Sequence, residues 1–522
     1  MIPFIVALPM LFAFLFIILV YLDVDRIYRE GIFLIGVLSP LPIFIFNLNY
    51  LPTTDVIGGW SRIAGVEIAV DNINFFFLLA AFIVFVLVAL YSLSHFDRYD
   101  EGVSKHSKFF LILILYGGIL GSFVSKDLFN FAVYLEITSL SAIILVSSSR
   151  EDGAKFASFR YLMLYLISSV FLIFAIGIIY VKTGYLNFYL VEENLVMTKE
   201  IKFAITVAFV ALITKAGIFP LHFWLPEAHS KADTPVSALL SGVTVKVPVF
   251  GMVLFLRYTP IGFLTFPLLL VSFGSIFFGI FMALFEKDVK RFLAYSTVSQ
   301  MGFILVGIGT LNIFATGVYV LGHAVVKAGL FMSIGILIDT QGRKKIEELS
   351  FNNKTFLMVT IVLLALGIGG ISPFLGGYAK YTVLNGLSKW GTYLFYIGSV
   401  GTLTIFIRLI YELFDSDFSK RIHISFEEVI PFIIVLLTII IGLYYQPGIS
   451  ITDVLLIITA VIVFFTLRYT GLLNYKIPSY YGDDVKDLAG QINLYTIVFV
   501  LVNVLFLFLV LYGNINGGLL NL

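Results

Sequence analysis

The chain contains no cysteine. That absence excludes disulfides, thiolate-bound zinc, iron–sulfur clusters and covalently attached c-type haem, so any redox chemistry linked to this chain belongs to other subunits. Charge is scarce too. Only 12% of the 522 residues are Asp, Glu, Lys or Arg, 60% are hydrophobic, the net charge is +1 and the mean hydropathy is +1.03. This balance offers no basic face for nucleic acid and no acidic tail, and its apolar share lies well beyond that of soluble domains. Strict apolar–polar alternation is missing as well: a run such as FFFLLAAFIVFVLVALY, Phe75 to Tyr91, does not read as a barrel strand. The opening MIPFIVALPMLFAFLFIILVYLDVD has no basic region ahead of its apolar stretch and no small-residue cleavage pattern behind it, which predicts a first membrane span, not a removable leader. With no nucleophile constellation and no cofactor motif, neither a cofactor nor a redox active site is expected on this chain.

What is present is a long series of apolar runs, each of about twenty residues and able to cross roughly 30 Å of hydrocarbon as a helix. They predict an all-α, polytopic membrane bundle of about 14–16 transmembrane helices in a lipid bilayer. The candidate helices cover residues 2–21, 30–48, 72–95, 108–125, 127–148, 156–182, 203–219, 234–257, 261–285, 290–308, 312–338, 355–388, 391–414, 427–446, 449–470 and 493–513. The seventh is interrupted at Pro220 and Pro226, the twelfth at GGISPFLGG, Gly369 to Gly377. If the N-terminus is outside, 21 of the 33 lysines and arginines fall in inner loops, 7 in outer loops and five inside spans. The excess of basic residues inside then predicts a multi-pass protein of the cell membrane with both termini outside. GGWSRIAGVEIAVD, Gly58 to Asp71, alternates weakly and predicts a short hairpin on the outer face.

An internal repeat is legible. Gly217-Ile218-Phe219-Pro220-Leu221 recurs as Gly370-Ile371-Ser372-Pro373-Phe374, and Tyr134-Leu135-Glu136-Ile137-Thr138-Ser139 lines up with Tyr295-Ser296-Thr297-Val298-Ser299-Gln300. Both offsets are five helices. Because five is odd, the two copies would insert with opposite topology, and broken helices at matching places of inverted repeats point to an ion path at their interface. The predicted organisation is helices 1–3 with the hairpin over residues 1–107, a first five-helix repeat over 108–257, a second over 258–415, and C-terminal helices over 416–522.

Against so apolar a background the charges inside spans stand out. A lysine at the centre of a span costs about +2.5 to +3.5 kcal/mol on insertion scales, so such residues normally face a wet interior. Lys126, Lys182 and Arg257 lie near span ends, where the ammonium or guanidinium can reach the interface along its own stem. Lys246 does not: it sits about a dozen residues into its apolar run, near mid-depth. Lys215 adjoins the first proline break, where freed carbonyls and water are tolerated only in a lined cavity. Glu136 is a mid-span carboxylate that would take up a proton if alone; pairing with a lysine such as Lys215 would keep both charged and make a protonation switch. His323 and Lys327 are four apart and share one helix face, and Lys380 follows the second break. Arg408 suits an electrostatic or structural role, since it stays charged at any relevant pH. His222, Glu227 and His229 do not match a helical zinc motif, because prolines interrupt the helix there, and no metal site is expected.

At these residues the sequence resembles the antiporter-like subunits shared by respiratory complex I, Mrp-type cation/proton antiporters and the membrane-bound hydrogenases and sulfur reductases of archaea. The resemblance rests on TKAGIFPLHFWLPEAHSKADTPVSALLSG (Thr214 to Gly242), DVKRFLAYSTVSQMGFI (Asp288 to Ile304), HAVVKAGLF (His323 to Phe331), YLEITSL (Tyr134 to Leu140) and the Gly-Gly-Trp hairpin, and covers roughly residues 58 to 415. It implies a Glu136–Lys215 pair, a central Lys246, a His323–Lys327 pair and a terminal Lys380 along a hydrated midplane axis. It further implies partner membrane subunits, protons as the translocated ion and sodium as a candidate for exchange, with an archaeal hydrogenase or sulfur reductase favoured as host. Two departures are the apolar surroundings of Lys246, VTVKVPVFG, and an extra pair of helices after residue 446. The alternatives are a stand-alone secondary transporter for a small solute and a structural subunit without transport.

Overall fold

The computed structural model of the chain describes residues 1–99, 102–352, 354–414, 424–446, 448–474 and 488–513. In hydrocarbon every backbone N–H and C=O must be satisfied within the chain, and a sequence without barrel alternation can do that only as helices. The order begins α1 (Pro3–Tyr21), α2 (Arg26–Leu38), α3 (Pro40–Leu48), α4 (Phe75–Tyr99), α5 (Gly102–Val124), α6 (Leu128–Ser147) and α7 (Ala154–Thr183). It continues through a short α8 (Phe188–Asn194), α9 (Lys199–Lys215), α10 (Trp224–Lys231), α11 (Thr234–Leu239), α12 (Lys246–Tyr258), α13 (Thr265–Phe285) and α14 (Val289–Gly309). Then come α15 (Ile313–Gln341), α16 (Thr355–Gly369), α17 (Leu375–Leu384), α18 (Lys389–Leu413), α19 (Phe426–Tyr445), α20 (Ile451–Tyr469) and α21 (Leu488–Gly513). With α2–α3, α9–α10, α11–α12 and α16–α17 each taken as one interrupted rod, the described residues make sixteen passages, as the apolar runs predict. Thirteen are long and apolar enough to cross a membrane; the others are the two proline-broken rods and the last helix.

α14 and α15 form the centre of the bundle. Their apolar stretches are buried along their whole length, those of α11–α12 nearly so, whereas α1 and α20 lie at the rim. A helix apolar all round and buried all round is the expected place for the few polar groups a bundle must shield.

The two breaks have the same backbone construction. Gly217 and Gly370 both adopt left-handed φ, +66° and +83°. In each, the next residue's N–H reaches back to the carbonyl five residues earlier, Ile218 to Ile213 and Ile371 to Leu366, at 3.2 Å in both cases. The entries of α6 and α14 also correspond: Asp127 and Asp288 each cap their helix, accepting from Asn130 N–H and Arg291 N–H. Each aspartate bridges to a later loop, Asp127 to Asn187 and Asp288 to Lys345. Five passages separate the two copies in the element order, consistent with an inverted arrangement.

The outer hairpin differs from expectation. Its strands, β1 (Thr53–Val56) and β2 (Glu67–Val70), pair antiparallel with Thr53 opposite Val70 and Val56 opposite Glu67, so β1 precedes the segment 58–71 and Gly58-Gly59-Trp60 belongs to the connection. The reason is local: Gly58 and Gly59 sit at φ +76° and +69°, a conformation that ends a strand. Seventh-helix bounds also shift. Thr198 caps α9 by accepting from Ile201 N–H, so the rod starts at residue 199 and stops at 215.

Lys126 is a second correction. Its side chain is fully buried and its Nζ lies 2.7 Å from Asp71 Oδ2, while its backbone N–H donates to Glu67 O at 2.9 Å. It therefore anchors the hairpin instead of reaching the interface. Lys182 and Arg257 are close to half exposed and sit 3.7 Å from Glu200 and 3.2 Å from Glu192, as interfacial residues should. Removing one partner of a buried pair strands the other charge, so Lys126→Ala is expected to destabilise by about 3–5 kcal/mol. Lys182→Ala should stay within about 0.5 kcal/mol. Thermal unfolding of the detergent-solubilised protein checks this, and equal shifts for the two variants would show that the Asp71 contact does not stabilise the hairpin.

Candidate functional site

The structure brings Glu136 of α6 and Lys215 at the end of α9 together, with Nζ 3.0 Å from Oε1. Ser169 of α7 completes a triangle: its hydroxyl lies 2.6 Å from Glu136 Oε1 and 2.6 Å from Lys215 Nζ. Tyr165, one turn earlier, places its ring face 3.1 Å from the ammonium, where the negative face of the π system favours a cation. Three helices thus converge on one ion pair. Lys215 takes none of the carbonyls freed by the break; Thr214 O instead accepts from Trp224 Nε1 at 3.0 Å, and Trp224 stacks on Tyr161 at 3.9 Å. That stack pins the far half of the broken rod against α7.

Lys246 begins α12 immediately after a π-helical turn over Leu240–Thr244. Such turns widen the helix and leave carbonyls open to other donors, and Lys246 Nζ donates to Ser241 O. The Ser241 hydroxyl is joined to Thr297 on α14 at 2.8 Å. Lys327, on α15, donates to Leu293 O at 2.9 Å and to the Ser296 hydroxyl. His323 and Lys327 lie one turn apart on α15, and α12, which begins with Lys246, packs against that helix. His323 is buried and neither ring nitrogen has a protein partner among the described residues.

Lys380 returns to the second break. Its Nζ donates to Gly369 O at 2.8 Å and to the Ser399 hydroxyl of α18 at 3.1 Å, and faces the Phe303 ring at 4.7 Å. Here the ammonium does take a carbonyl released where a helix ends.

His323 and the four lysines therefore lie inside the bundle, Glu136 sits at its edge with about a third of its side chain exposed, and the four lysine ammoniums point at oxygen. The six form three groups: Glu136–Lys215, the Lys246–His323–Lys327 centre, and Lys380 at the second break. No ion pair or hydrogen bond among the described residues joins Lys215 to Lys246. Arg408 fixes α18 to the end of α13, donating to Ala283 O at 3.1 Å and Glu286 O at 3.2 Å and pairing with Glu412 at 2.8 Å. The three residues weighed for a metal diverge: Glu227 pairs with Arg160, His222 packs against Phe278 and His229 stacks on Phe331.

Sequence reasoning missed several participants. Ser169 and Ser399 are ordinary serines in apolar runs, and only the fold shows that each accepts from a lysine. His229 was weighed only as a metal ligand, yet Lys246, Lys290 and Lys327 all lie within its electrostatic range. Its signal was a histidine in a buried helix beside lysine-bearing ones.

A family model described as "NADH:quinone oxidoreductase/Mrp antiporter, TM" matches residues 125–406, which include every residue of the three groups. The chain is 27% identical over 450 residues to a putative antiporter subunit mnhD2 of Staphylococcus saprophyticus, covering 82% of this chain and 89% of that protein. It is 28% identical over 473 residues to the protein of the same description from Staphylococcus aureus, with coverage of 85% and 94%. Among solved structures it is similar to a chain of an archaeal membrane-bound sulfane sulfur reductase, with a TM-score of 0.77, 23% identity, and 90% and 99% of the two chains covered. A chain of the Mrp complex from Dietzia sp. DQ12-45-1b gives 0.76 at 20% identity, covering 90% and 98%, and one of complex I from Thermus thermophilus gives 0.68 at 20%, covering 84% and 97%.

The second break supplies a stability test. A Cβ at Gly370 would meet the Lys380 stem at 2.2 Å, on backbone of φ +83°, so Gly370→Ala is expected to cost at least about 1–2 kcal/mol from backbone strain alone. A Cβ at Gly177, within α7, meets nothing within 4 Å, and Gly177→Ala should be neutral or stabilising by up to about 1 kcal/mol. The order of unfolding temperatures checks this; Gly370→Ala unfolding with or above Gly177→Ala would contradict it.

Proposed function

The chain belongs to the NADH:quinone oxidoreductase/Mrp antiporter family of membrane proteins, and from that premise we propose that it translocates protons as one subunit of a larger membrane complex. Sodium is the candidate counter-ion. The observation that carries this reading is the Glu136–Lys215 pair, two opposite charges 3.0 Å apart contributed by separate helices at the edge of a buried lysine series.

The pair acts as the input switch. Two charges at ~4 Å and an effective dielectric of about 20 interact by roughly 4 kcal/mol, enough to decide where a proton resides. While the pair is closed, the positive charge of Lys215 is neutralised. When it opens, that charge acts on Lys246 and displaces its proton toward His323 and Lys327, and from there toward Lys380 at the second break. Each ammonium has backbone or hydroxyl oxygen beside it, so the charged form is tolerated at each of the four lysines. The gaps between groups are bridged by field and by water, since no direct hydrogen bond is needed for a charge to act at a distance.

A partner is implied by the surface around the switch. Glu136 is one-third exposed and lies on the same face of α6 as the exposed Phe129, Val133, Leu140 and Ile144. A carboxylate on a lipid-facing stripe at mid-span is costly; a neighbouring membrane subunit covering that face removes the cost and gains access to the switch. The relatives described as antiporter subunits and the chains of similar fold in a sulfane sulfur reductase, an Mrp complex and complex I support such an assembly. The basic-loop bias supports insertion in the cell membrane with both termini outside.

In vesicles carrying the intact complex, Lys246→Ala and Glu136→Ala are each expected to lower pH-gradient formation on the order of tenfold or more, with assembly unchanged. Wild-type gradients from either assembled variant would take that residue out of the path.

A further inference from the structure

Four phenylalanine rings meet between the central lysine and the outer hairpin. Phe77 of α4, Phe123 of α5 and Phe250 of α12 form a closed triangle of edge-on contacts, with ring centres 5.1 Å, 5.4 Å and 5.4 Å apart. Phe131 of α6 adds a fourth ring, 6.4 Å from Phe250, and it lies directly on backbone, since a Cβ at Gly251 would come within 2.6 Å of it. All four side chains are buried. Their position gives them meaning. Phe250 is four residues beyond Lys246, on the same face of one helix and about 6 Å further along its axis. Toward the hairpin stands Lys126, whose Nζ is 6.0 Å from the Phe250 ring centre and 2.7 Å from Asp71 Oδ2. One aromatic layer thus lies between two charged groups, the Lys126–Asp71 pair under the hairpin and Lys246 at the centre of the relay. Among the described residues no hydrogen bond or ion pair joins them.

We propose that this layer is a dry seal on the hairpin side of the relay, which keeps a proton held at Lys246 from escaping to that face of the membrane. The inference rests on the proton-relay reading above. An apolar constriction bars ions by excluding water, and a phenyl ring carries no group that can take up or pass a proton. The flanking charges make such a barrier necessary. A gap opened between Lys246 and the Lys126–Asp71 pair would be polar enough to fill with water, whereas a void lined only by apolar groups stays empty. Water there would give protons a route to the relay that bypasses the Glu136–Lys215 switch, and a gradient built by the relay would decay through it. Because the layer draws one ring from each of α4, α5, α6 and α12, it closes only where those four helices pack together.

A leak is measured with the relay at rest, which separates the seal from the pumping it protects. In vesicles carrying the full complex and no driving reaction, an imposed pH gradient is expected to decay several-fold faster with Phe250→Ala than with the parent. Phe250→Leu, which keeps the gap filled and apolar, should decay at the parental rate. So should Phe464→Ala, which removes a buried ring from α20 at the rim. Adding Lys246→Ala to Phe250→Ala is expected to slow the decay again, since the opened path leads to that lysine. Parental decay in assembled Phe250→Ala, or decay just as fast in Phe464→Ala, would overturn the seal. A fast decay that Lys246→Ala leaves unchanged would overturn it too. If Phe250→Ala fails to assemble, Phe123→Ala decides by the same comparison. Failure of the relay reading shows separately, as parental gradient formation by Lys246→Ala alone under driving conditions.

Discussion

An ammonium group inside a bilayer must point at oxygen, and the bundle is organised around that requirement. Four lysines lie deep in the chain, and each has a different source: a carboxylate and a serine for Lys215, a carbonyl beside a π turn for Lys246, a carbonyl and a serine for Lys327, and the carbonyl at a helix end plus a serine for Lys380. Among the described residues only one of the four, Lys215, has a counter-charge within ion-pair distance. The other three are held by dipoles, which support a charged lysine without neutralising it and so leave it free to respond to a neighbour. For the proposed relay this matters, because a row of salt bridges would lock the charge that a row of dipole-held lysines leaves responsive.

For Lys246 and Lys380 the irregular backbone is how the oxygen becomes available, whereas Lys327 shares Leu293 O with the ladder of the continuous α14. The interior carbonyls of a continuous α-helix are already engaged in its own ladder. The left-handed glycine at residue 370 ends α16 and leaves Gly369 O for Lys380, and the wide turn at 240–244 leaves Ser241 O for Lys246. The first break is used differently. Its carbonyl goes to the Trp224 indole and its lysine to Glu136, so two breaks of the same construction hold one ion-paired lysine and one dipole-held lysine. The asymmetry follows from where the lysine sits, before the turn at 215 and after it at 380.

The burial of the apolar stretches of α14 and α15 explains why His323 and Lys327 can be accommodated there. His323 and Lys327 lie in stretches of α15 that other helices cover, so neither faces the outside of the bundle. The rim carries the opposite problem at Glu136, a carboxylate partly exposed on an apolar stripe of α6.

The sequence by itself determined the class and much of the architecture. Apolar length, absent alternation, the sixteen passages, the proline breaks and the recurrence of Gly-Ile-x-Pro at an offset of five helices are all local patterns that lipid enforces on a chain. The six titratable candidates were legible for the same reason: a charge in an apolar run is conspicuous wherever the run ends up. What partnered them was not legible. Ser169, Ser296 and Ser399 are ordinary serines in their helices, Lys126 reads as an interfacial residue in the sequence yet meets Asp71 in the fold, and the hairpin begins upstream of its weak alternation because two glycines demand a turn. Those outcomes depend on which helix packs against which, and the long-range contacts that fix it leave no trace in periodicity. Linear order revealed where the charges are, and only the packed bundle decided which oxygens they meet.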